Sequence, residues 1–217
     1  MDLGCGEGFS LNFFHERGWN VQGADFTLDG IKRFFPSFEK YIMTGNLFAT
    51  IDRLVLEKRE YNLIICNNVL EHVVDPFALL QKIRKILSVD GICRIVVPND
   101  DSILQRDVVE REFADPEFWV SVPEHLNYFN VDSFLKILDA AEFRIIEMLC
   151  DFPVDVFLYN PDSNYKKNPL KGKKCHLARV MFENLLGSIN IENLINFRKG
   201  CAQAKVGRDI IAYCGKR

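Results

Sequence analysis

Apolar and polar positions along this chain follow the order typical of an α/β protein. Short, near-continuous apolar stretches predict buried parallel strands, and segments with apolar residues three or four positions apart predict amphipathic helices. We predict strands over residues 19–24, 41–44, 61–66, 92–97, 143–149 and 209–214. We predict helices over residues 10–17, 28–35, 76–87, 131–141 and 178–186, and a partly helical excursion over residues 100–118.

A glycine-rich turn stands at the start of this pattern. Residues 1–10 read Met-Asp-Leu-Gly-Cys-Gly-Glu-Gly-Phe-Ser, and the glycines at 4, 6 and 8 allow backbone to pass close to a ligand. Only three residues precede Gly4, so we expect the first strand to be truncated. A strand end, a glycine turn and a helix N-terminus together predict a nucleoside-bearing ligand at the carboxyl edge of the sheet.

Two classes of ligand use such a turn. A dinucleotide favours Gly-x-Gly-x-x-Gly, so that its pyrophosphate lies on the helix N-terminus. Here the third glycine is Gly8 and Phe9 follows it, which weakens that interpretation. Asp25 ends the next predicted strand, about 20 positions after Gly4, where a carboxylate can receive the two hydroxyls of a ribose.

Two blocks of this sequence resemble one known family. The segment Asp-Leu-Gly-Cys-Gly-Glu-Gly, residues 2–8, resembles the first motif of the class I S-adenosylmethionine-dependent methyltransferases. The block from Asn67 to Val73, continued by Val-Pro-Asn at residues 97–99, resembles the fourth and fifth motifs of the same family. The two matches occur in the expected order and at the expected distance from each other.

This resemblance implies a Rossmann-like methyltransferase fold. We expect a single domain over residues 1–217, with a mostly parallel seven-strand sheet, an antiparallel last strand, helices on both faces and an inserted segment at about 152–206. It implies S-adenosylmethionine as cofactor and S-adenosylhomocysteine as product. Asp25 would hold the ribose, and Asn46 and Leu47 would hold and cover the adenine. The cofactor-binding residues that it implies are Asp2, Gly4, Cys5, Gly6, Asp25, Phe26, Asn46, Leu47, Asn67 and Asn68.

The acceptor is expected to be a small polar molecule, methylated on oxygen in preference to nitrogen, with a sugar or glycan precursor included. His125 and Tyr128 are the catalytic candidates, because an imidazole can accept a hydroxyl proton near neutral pH. His72 is interpreted as a structural or cofactor-proximal residue. A non-catalytic S-adenosylmethionine-binding domain, an RNA or protein methyltransferase and, more remotely, an NAD-dependent dehydrogenase stay open as alternatives.

The composition indicates the cellular compartment and argues against a metal site and a membrane span. The seven cysteines are scattered and never spaced Cys-x-x-Cys, which predicts reduced thiols in a cytoplasmic protein; Cys5 could be a reactive thiol or a small buried filler. No residues show metal-ligand spacing, and no apolar run is long enough to span a membrane.

The net charge and its distribution indicate which kinds of partner the chain can bind. The net charge of −3 disfavours nucleic acid. A basic run at residues 166–179, with no Asp or Glu between Asp162 and Glu183, is either a solvated face or a clamp for an anionic or glycosyl acceptor. The oligomeric state is left open.

Overall fold

A computed structural model describes residues 1–217 and contains one seven-stranded sheet with eight α-helices. The first part of the chain forms β1 Asp2–Leu3, α1 Phe9–His15, β2 Gly23–Asp25, α2 Asp29–Phe34, β3 Ile42–Thr44, α3 Leu47–Leu56, β4 Tyr61–Asn67, α4 Pro76–Ile86 and β5 Leu87–Pro98. The rest forms α5 Ile103–Glu110, α6 Val131–Ala140, β6 Phe143–Cys150, α7 Gly172–Ile189, α8 Ile191–Ala204 and β7 Asp209–Lys216. None of the helices is long and apolar enough to cross a membrane.

The strand order is β3-β2-β1-β4-β5-β7-β6. The pairs β1–β2, β1–β4, β2–β3 and β4–β5 are parallel, and the last strand is antiparallel, which confirms the predicted fold class. The first strand, β1, has two residues. The chain order reverses beside β1, so the carboxyl ends of β1 and β4 flank the crevice where α/β sheets bind ligands.

The chain divides into two compact units. The first comprises residues 1–96, 136–146 and 212–217, and the second comprises residues 97–135 and 147–211. In the first unit, α1 and α2 bury Leu11 and Ile31 against Cys5 and Phe38. The helix α4 begins with Asp75 accepting a hydrogen bond from the backbone N–H of Ala78, and it buries the apolar positions Leu79, Leu80, Ile83 and Ile86.

Several predicted boundaries are wrong. The strand expected over residues 19–24 is β2, Gly23–Asp25, because its neighbour β1 offers only two residues for pairing. The helix expected to run to residue 87 ends at Ile86, since Leu87 pairs with Tyr61 as the start of β5. Gly91 lies inside this strand.

Two helices were not predicted, and a third is longer than expected. The first is α3, which Asn46 caps by accepting a hydrogen bond from the backbone N–H of Ala49. The second is α8. The helix expected over residues 178–186 extends over Gly172–Ile189, and α8 packs on it through the Arg198–Glu183 ion pair and the Phe182–Phe197 ring contact at 5.1 Å.

The second unit buries several carboxyl groups. Asp100 is 1% exposed; its Oδ1 lies 3.4 Å from Nη1 of Arg208, and its Oδ2 has no hydrogen-bond partner. Burial raises the pKa of Asp100 to about 6, although Arg208 opposes the shift. Burial also raises the pKa of Asp151 to about 6, helped by the nearby charge of Asp209. These groups keep their protons in the folded protein at a pH where the unfolded chain loses them.

This difference predicts a pH-dependent stability. Because the pKa of Asp100 is raised from its ordinary value of 3.8 to about 6, the free energy of unfolding should fall as pH rises from about 4 to about 6 and then level off. In Asp100→Asn the fall should be smaller by about 3 kcal/mol, since one pKa unit corresponds to about 1.4 kcal/mol. Urea unfolding at a series of pH values measures both, with Asp101→Asn, an exposed neighbour, as control. The same pH slope in Asp100→Asn and wild type would contradict the assignment.

Candidate functional site

A cavity of about 660 Å³ lies in the first unit at the carboxyl ends of its parallel strands. Each of four consecutive turns contributes to it: the glycine turn after β1 and the segments that follow β2, β3 and β4. Its walls are Gly4, Ala24, Asp25, Phe26, Gly45, Asn46, Leu47, Phe48, Asn68, Val69, His72, Val73 and Val74. This placement follows from the topology, because the carboxyl ends of parallel strands meet at one edge.

Gly4 is needed where the first turn meets the segment after β4. Its φ is +73°, and a Cβ added there would lie 2.6 Å from Cγ2 of Val69. Val69 itself lines the cavity. The missing side chain therefore lets the backbone of the turn and the wall of the cavity approach each other.

Asp25 is held in place by the loop around it. Its Oδ2 accepts a hydrogen bond from the backbone N–H of Gly6 at 2.8 Å, and its Oδ1 accepts one from the N–H of Thr27 at 3.3 Å. A carboxylate fixed in this way is oriented before any ligand arrives. Phe26 beside it is 79% exposed, which is unusual for a large apolar ring and leaves its face available.

Asn46 caps the helix α3 and also lines the cavity. Its side-chain oxygen accepts the hydrogen bond from Ala49 that caps α3, so one acceptor position is occupied and the amide NH₂ group is the remaining donor. Asn68 follows β4 with a φ of +52°, a backbone conformation that asparagine adopts more readily than most residues, and its N–H donates to the carbonyl of Val96 at 2.9 Å.

Four of the predicted cofactor-binding residues lie outside the cavity wall. Asp2 is buried, and burial raises its pKa to about 7. Cys5 is buried as well, and burial raises the pKa of its thiol to about 12, so it stays protonated and a reactive role is disfavoured. Gly6 contacts the site indirectly, because its backbone N–H donates a hydrogen bond to Asp25 of the wall. Asn67 accepts a hydrogen bond from Arg94 through its side-chain oxygen.

The second unit contains both catalytic candidates. His125 and Tyr128 lie on the loop before α6, with ring centroids 6.1 Å apart. The Tyr128 hydroxyl donates to the carbonyl of Ser121 and accepts from its N–H, both at 3.3 Å. These contacts fix the phenol within its own loop.

Sequence reasoning did not assign the apolar part of the cavity wall. Phe48 belongs to the unpredicted helix α3. Val73 ends the block that resembles the family, where it was given no role of its own, and Val74 follows that block. His72, expected to be structural or near the cofactor, lies in the wall.

Comparison with known proteins identifies the family. A family model described as a methyltransferase domain matches residues 1–148. The match covers more than half of the chain, and the chain therefore belongs to the methyltransferase domain family.

Curated relatives agree over part of their length. An uncharacterized protein of Methanocaldococcus jannaschii is 31% identical over 134 residues, which are 62% of this chain and 53% of that protein. The ubiquinone biosynthesis O-methyltransferase of Actinobacillus pleuropneumoniae is 26% identical over 98 residues, 42% of each chain. The chain thus spans about half the length of the curated relatives it matches.

Solved structures share the fold. A SAM-dependent methyltransferase from Archaeoglobus fulgidus aligns with a TM-score of 0.61 at 21% identity, covering 99% of this chain and 84% of the other. An S-adenosylmethionine-dependent methyltransferase from Mesorhizobium loti aligns with a TM-score of 0.55 at 15% identity, covering 100% and 89%. At these identities the likeness establishes the fold.

The close packing at Gly4 generates a prediction about stability. Gly4→Ala should lower the free energy of unfolding by about 3 kcal/mol, because the new methyl group meets Val69 in addition to the strain of a left-handed backbone. Gly18→Ala is the matched control, since Gly18 has a φ of +80° with nothing within 4 Å of the added Cβ. It should lose about 1 kcal/mol. Urea unfolding monitored by circular dichroism compares the two, and equal losses would show that Val69 does not restrict this position.

Proposed function

We propose that this chain binds S-adenosylmethionine in the 660 Å³ cavity and transfers its methyl group to an oxygen of a small polar molecule. The observation that carries the proposal is the convergence of Gly4, Asp25, Asn46 and Asn68 on one cavity at the carboxyl edge of the sheet. Membership of the methyltransferase domain family supports it.

Each wall residue has a role that fits its chemistry. Asp25 accepts hydrogen bonds from the ribose hydroxyls, because its carboxylate is oriented by Gly6 and Thr27 and retains free lone pairs. Phe26 and Leu47 cover the adenine ring with apolar surface. Asn46 meets the adenine edge through its NH₂ group or the second lone pair of its oxygen, since Ala49 already occupies the first.

The glycine turn would bind the methionine part. Gly4 and Gly6 present backbone, and Cys5 fills the space beneath without taking part in chemistry. Asp2 and Asn67 support the turn and the end of β4 from outside the wall. Asn68 closes the cavity next to the β4 end.

S-adenosylmethionine supplies a methyl group that is already activated on a positively charged sulfur. The main contribution of the protein is therefore alignment of that methyl group with the acceptor oxygen, which can be worth roughly 7–11 kcal/mol. For a hydroxyl acceptor the second contribution is removal of its proton. We assign that step to His125, with Tyr128 helping to position the acceptor.

Oxygen is our first choice of acceptor atom, and nitrogen is the alternative. The O-methyltransferase activity named for the relative from Actinobacillus pleuropneumoniae supports oxygen. The basic run at residues 166–179 supports an anionic or glycosyl acceptor, such as a sugar or glycan precursor. The seven buried, unpaired cysteines support a reducing, cytoplasmic location.

Calorimetric titration of S-adenosylhomocysteine tests the role of Asp25. Asp25→Asn should raise Kd roughly 10- to 100-fold, because hydrogen bonds to a charged group contribute about 1.5–3 kcal/mol. Asp29→Asn, an exposed carboxylate in the first turn of α2, should leave Kd unchanged. An unchanged Kd in Asp25→Asn would contradict the ribose role, and binding of NAD alone would identify a dinucleotide protein.

Transfer of a labelled methyl group to a panel of hydroxyl compounds tests His125. His125→Gln should lower kcat by at least about 100-fold and remove the rise of rate with pH near the pKa of a histidine, while Kd for the cofactor is retained. His15→Gln on α1 is the control.

An unaltered pH profile in His125→Gln would contradict its role as the base. Cofactor binding without transfer to any small acceptor would favour a non-catalytic binding domain. Transfer to RNA or protein, weakened steeply by salt for RNA, would favour the macromolecular alternative.

A further inference from the structure

The second unit contains a smaller cavity, part of whose wall comes from the basic run at residues 166–179. It has a volume of about 280 Å³ and lies between the 3-10 helix Val154–Tyr159 and the first turns of α7. Its walls are Val154, Phe157, Tyr165, Gly172, Cys175, His176 and Arg179. A volume near the lower end of known ligand cavities, about 300 Å³, suits a molecule of a single ring.

Two polar side chains of the wall already have hydrogen-bond partners within the protein. The Tyr165 hydroxyl donates to Oδ1 of Asp155 at 2.8 Å, and the Cys175 thiol donates to the carbonyl of Ser163 at 3.2 Å. These side chains therefore offer the cavity a ring face and a small apolar surface. Phe157 adds a second aromatic side chain.

Arg179 is the group that lacks good partners. Its side chain is 24% exposed, its Nη1 is 3.4 Å from Oδ2 of Asp151, and its Nη2 is 3.4 Å from Nδ1 of His176. Its Nε is buried and has no acceptor. Charge-assisted hydrogen bonds of this kind are ordinarily 2.7–2.9 Å long, so the guanidinium is poorly satisfied by the protein alone.

Asp151 cannot easily move closer to Arg179. Its Oδ1 accepts a hydrogen bond of 2.7 Å from the backbone N–H of Asp209, which fixes the carboxyl group at the start of β7. The Nε and Nη2 side of the guanidinium thus lacks a close acceptor from the protein. Two parallel N–H donors on that side match the two oxygens of a carboxylate or phosphate.

Exposed cations of α7 also favour an anion, although the carboxyl groups of Asp151 and Asp155 lie beside Arg179 and Tyr165. Lys173 and Lys174 lie exposed in the same helix, and no Asp or Glu occurs between Asp162 and Glu183. A run of positive charge of this kind raises the local concentration of anions around the cavity.

We propose that this cavity binds a small molecule consisting of one ring and one carboxylate or phosphate group. The anionic group is held by Arg179 and His176, and the ring packs against Phe157 and Tyr165. This inference goes beyond the methyl-transfer proposal and does not depend on it, because it assigns a binding site in the second unit whether or not its ligand is the methyl acceptor.

The test is a titration with three matched probes, benzoate, phenyl phosphate and the neutral benzyl alcohol, in the absence of S-adenosylmethionine. The ring signals of the four histidines are followed by NMR. We expect a saturable shift of the His176 signal with at least one anion, and no saturable shift with benzyl alcohol. The tighter of the two anions identifies the preferred group.

Variants test the residues. Arg179→Gln should raise Kd for the preferred anion at least tenfold, and Lys174→Gln, an exposed cation of the same helix, should change it less than twofold. His176→Gln, at an exposed position that should not affect folding, should raise Kd about threefold by calorimetry. Unchanged binding of S-adenosylhomocysteine by Arg179→Gln would show that the variant is folded and would keep this test separate from that of the cofactor site.

Three results would overturn the proposal. They are the absence of a saturable shift with either anion, equal affinity for benzyl alcohol and the anions, and an Arg179→Gln variant that binds the preferred anion as wild type does.

Discussion

The candidate cofactor site depends on the close approach of the Gly4 backbone to Val69. Gly4 follows β1 and Val69 follows β4, so this contact joins the two turns that flank the point where the strand order reverses. A Cβ at Gly4 would meet Val69 at 2.6 Å, which leaves glycine as the residue that permits it. Asp25 and Gly6 then fix the neighbouring turn through one hydrogen bond of 2.8 Å.

Polar groups are used differently in the two units. In the first, Asp25 and Asn46 lie in a cavity wall and also bond to nearby backbone, so their positions are set before a ligand binds. In the second, Asp100 and Asp151 are buried, and that burial raises their pKa values; Oδ2 of Asp100 also has no hydrogen-bond partner. A buried carboxyl group of this kind weakens the fold at neutral pH, where it loses its proton. The guanidinium of Arg179 also lacks close acceptors, which is why we propose that it binds an anion.

The sequence predicted most reliably what depends on local pattern. The buried strand expected over residues 61–66 is β4, Tyr61–Asn67, and the helix expected over 131–141 is α6, Val131–Ala140, because near-continuous apolar runs and helical spacing are strong signals. The helix α8 was missed because tertiary contacts with the preceding helix α7, such as the Arg198–Glu183 pair, stabilise it, and such contacts leave no clear local pattern in the sequence.

The same distinction holds at the candidate site. The resemblance to the family pointed to Gly4, Asp25, Asn46 and Asn68. These four residues line one cavity because parallel strands bring their carboxyl ends together. The sequence did not predict the hydrogen bond by which Asn46 caps α3, or the place of Phe48 in the cavity wall, because both depend on the unpredicted helix α3. For the cavity at Arg179, the sequence indicated only the basic run. The cavity itself could not be predicted, because Phe157 and Tyr165 reach its wall through tertiary packing.

A crystal structure of the protein with bound S-adenosylhomocysteine would test the central claim most directly. The account predicts the ribose hydroxyls within hydrogen-bond distance of the Asp25 carboxylate, the adenine between Phe26 and Leu47, and the amino-acid part against the backbone of Gly4. Ligand density elsewhere in the molecule, or an empty cavity at saturating ligand, would contradict the assignment of this cavity as the cofactor site.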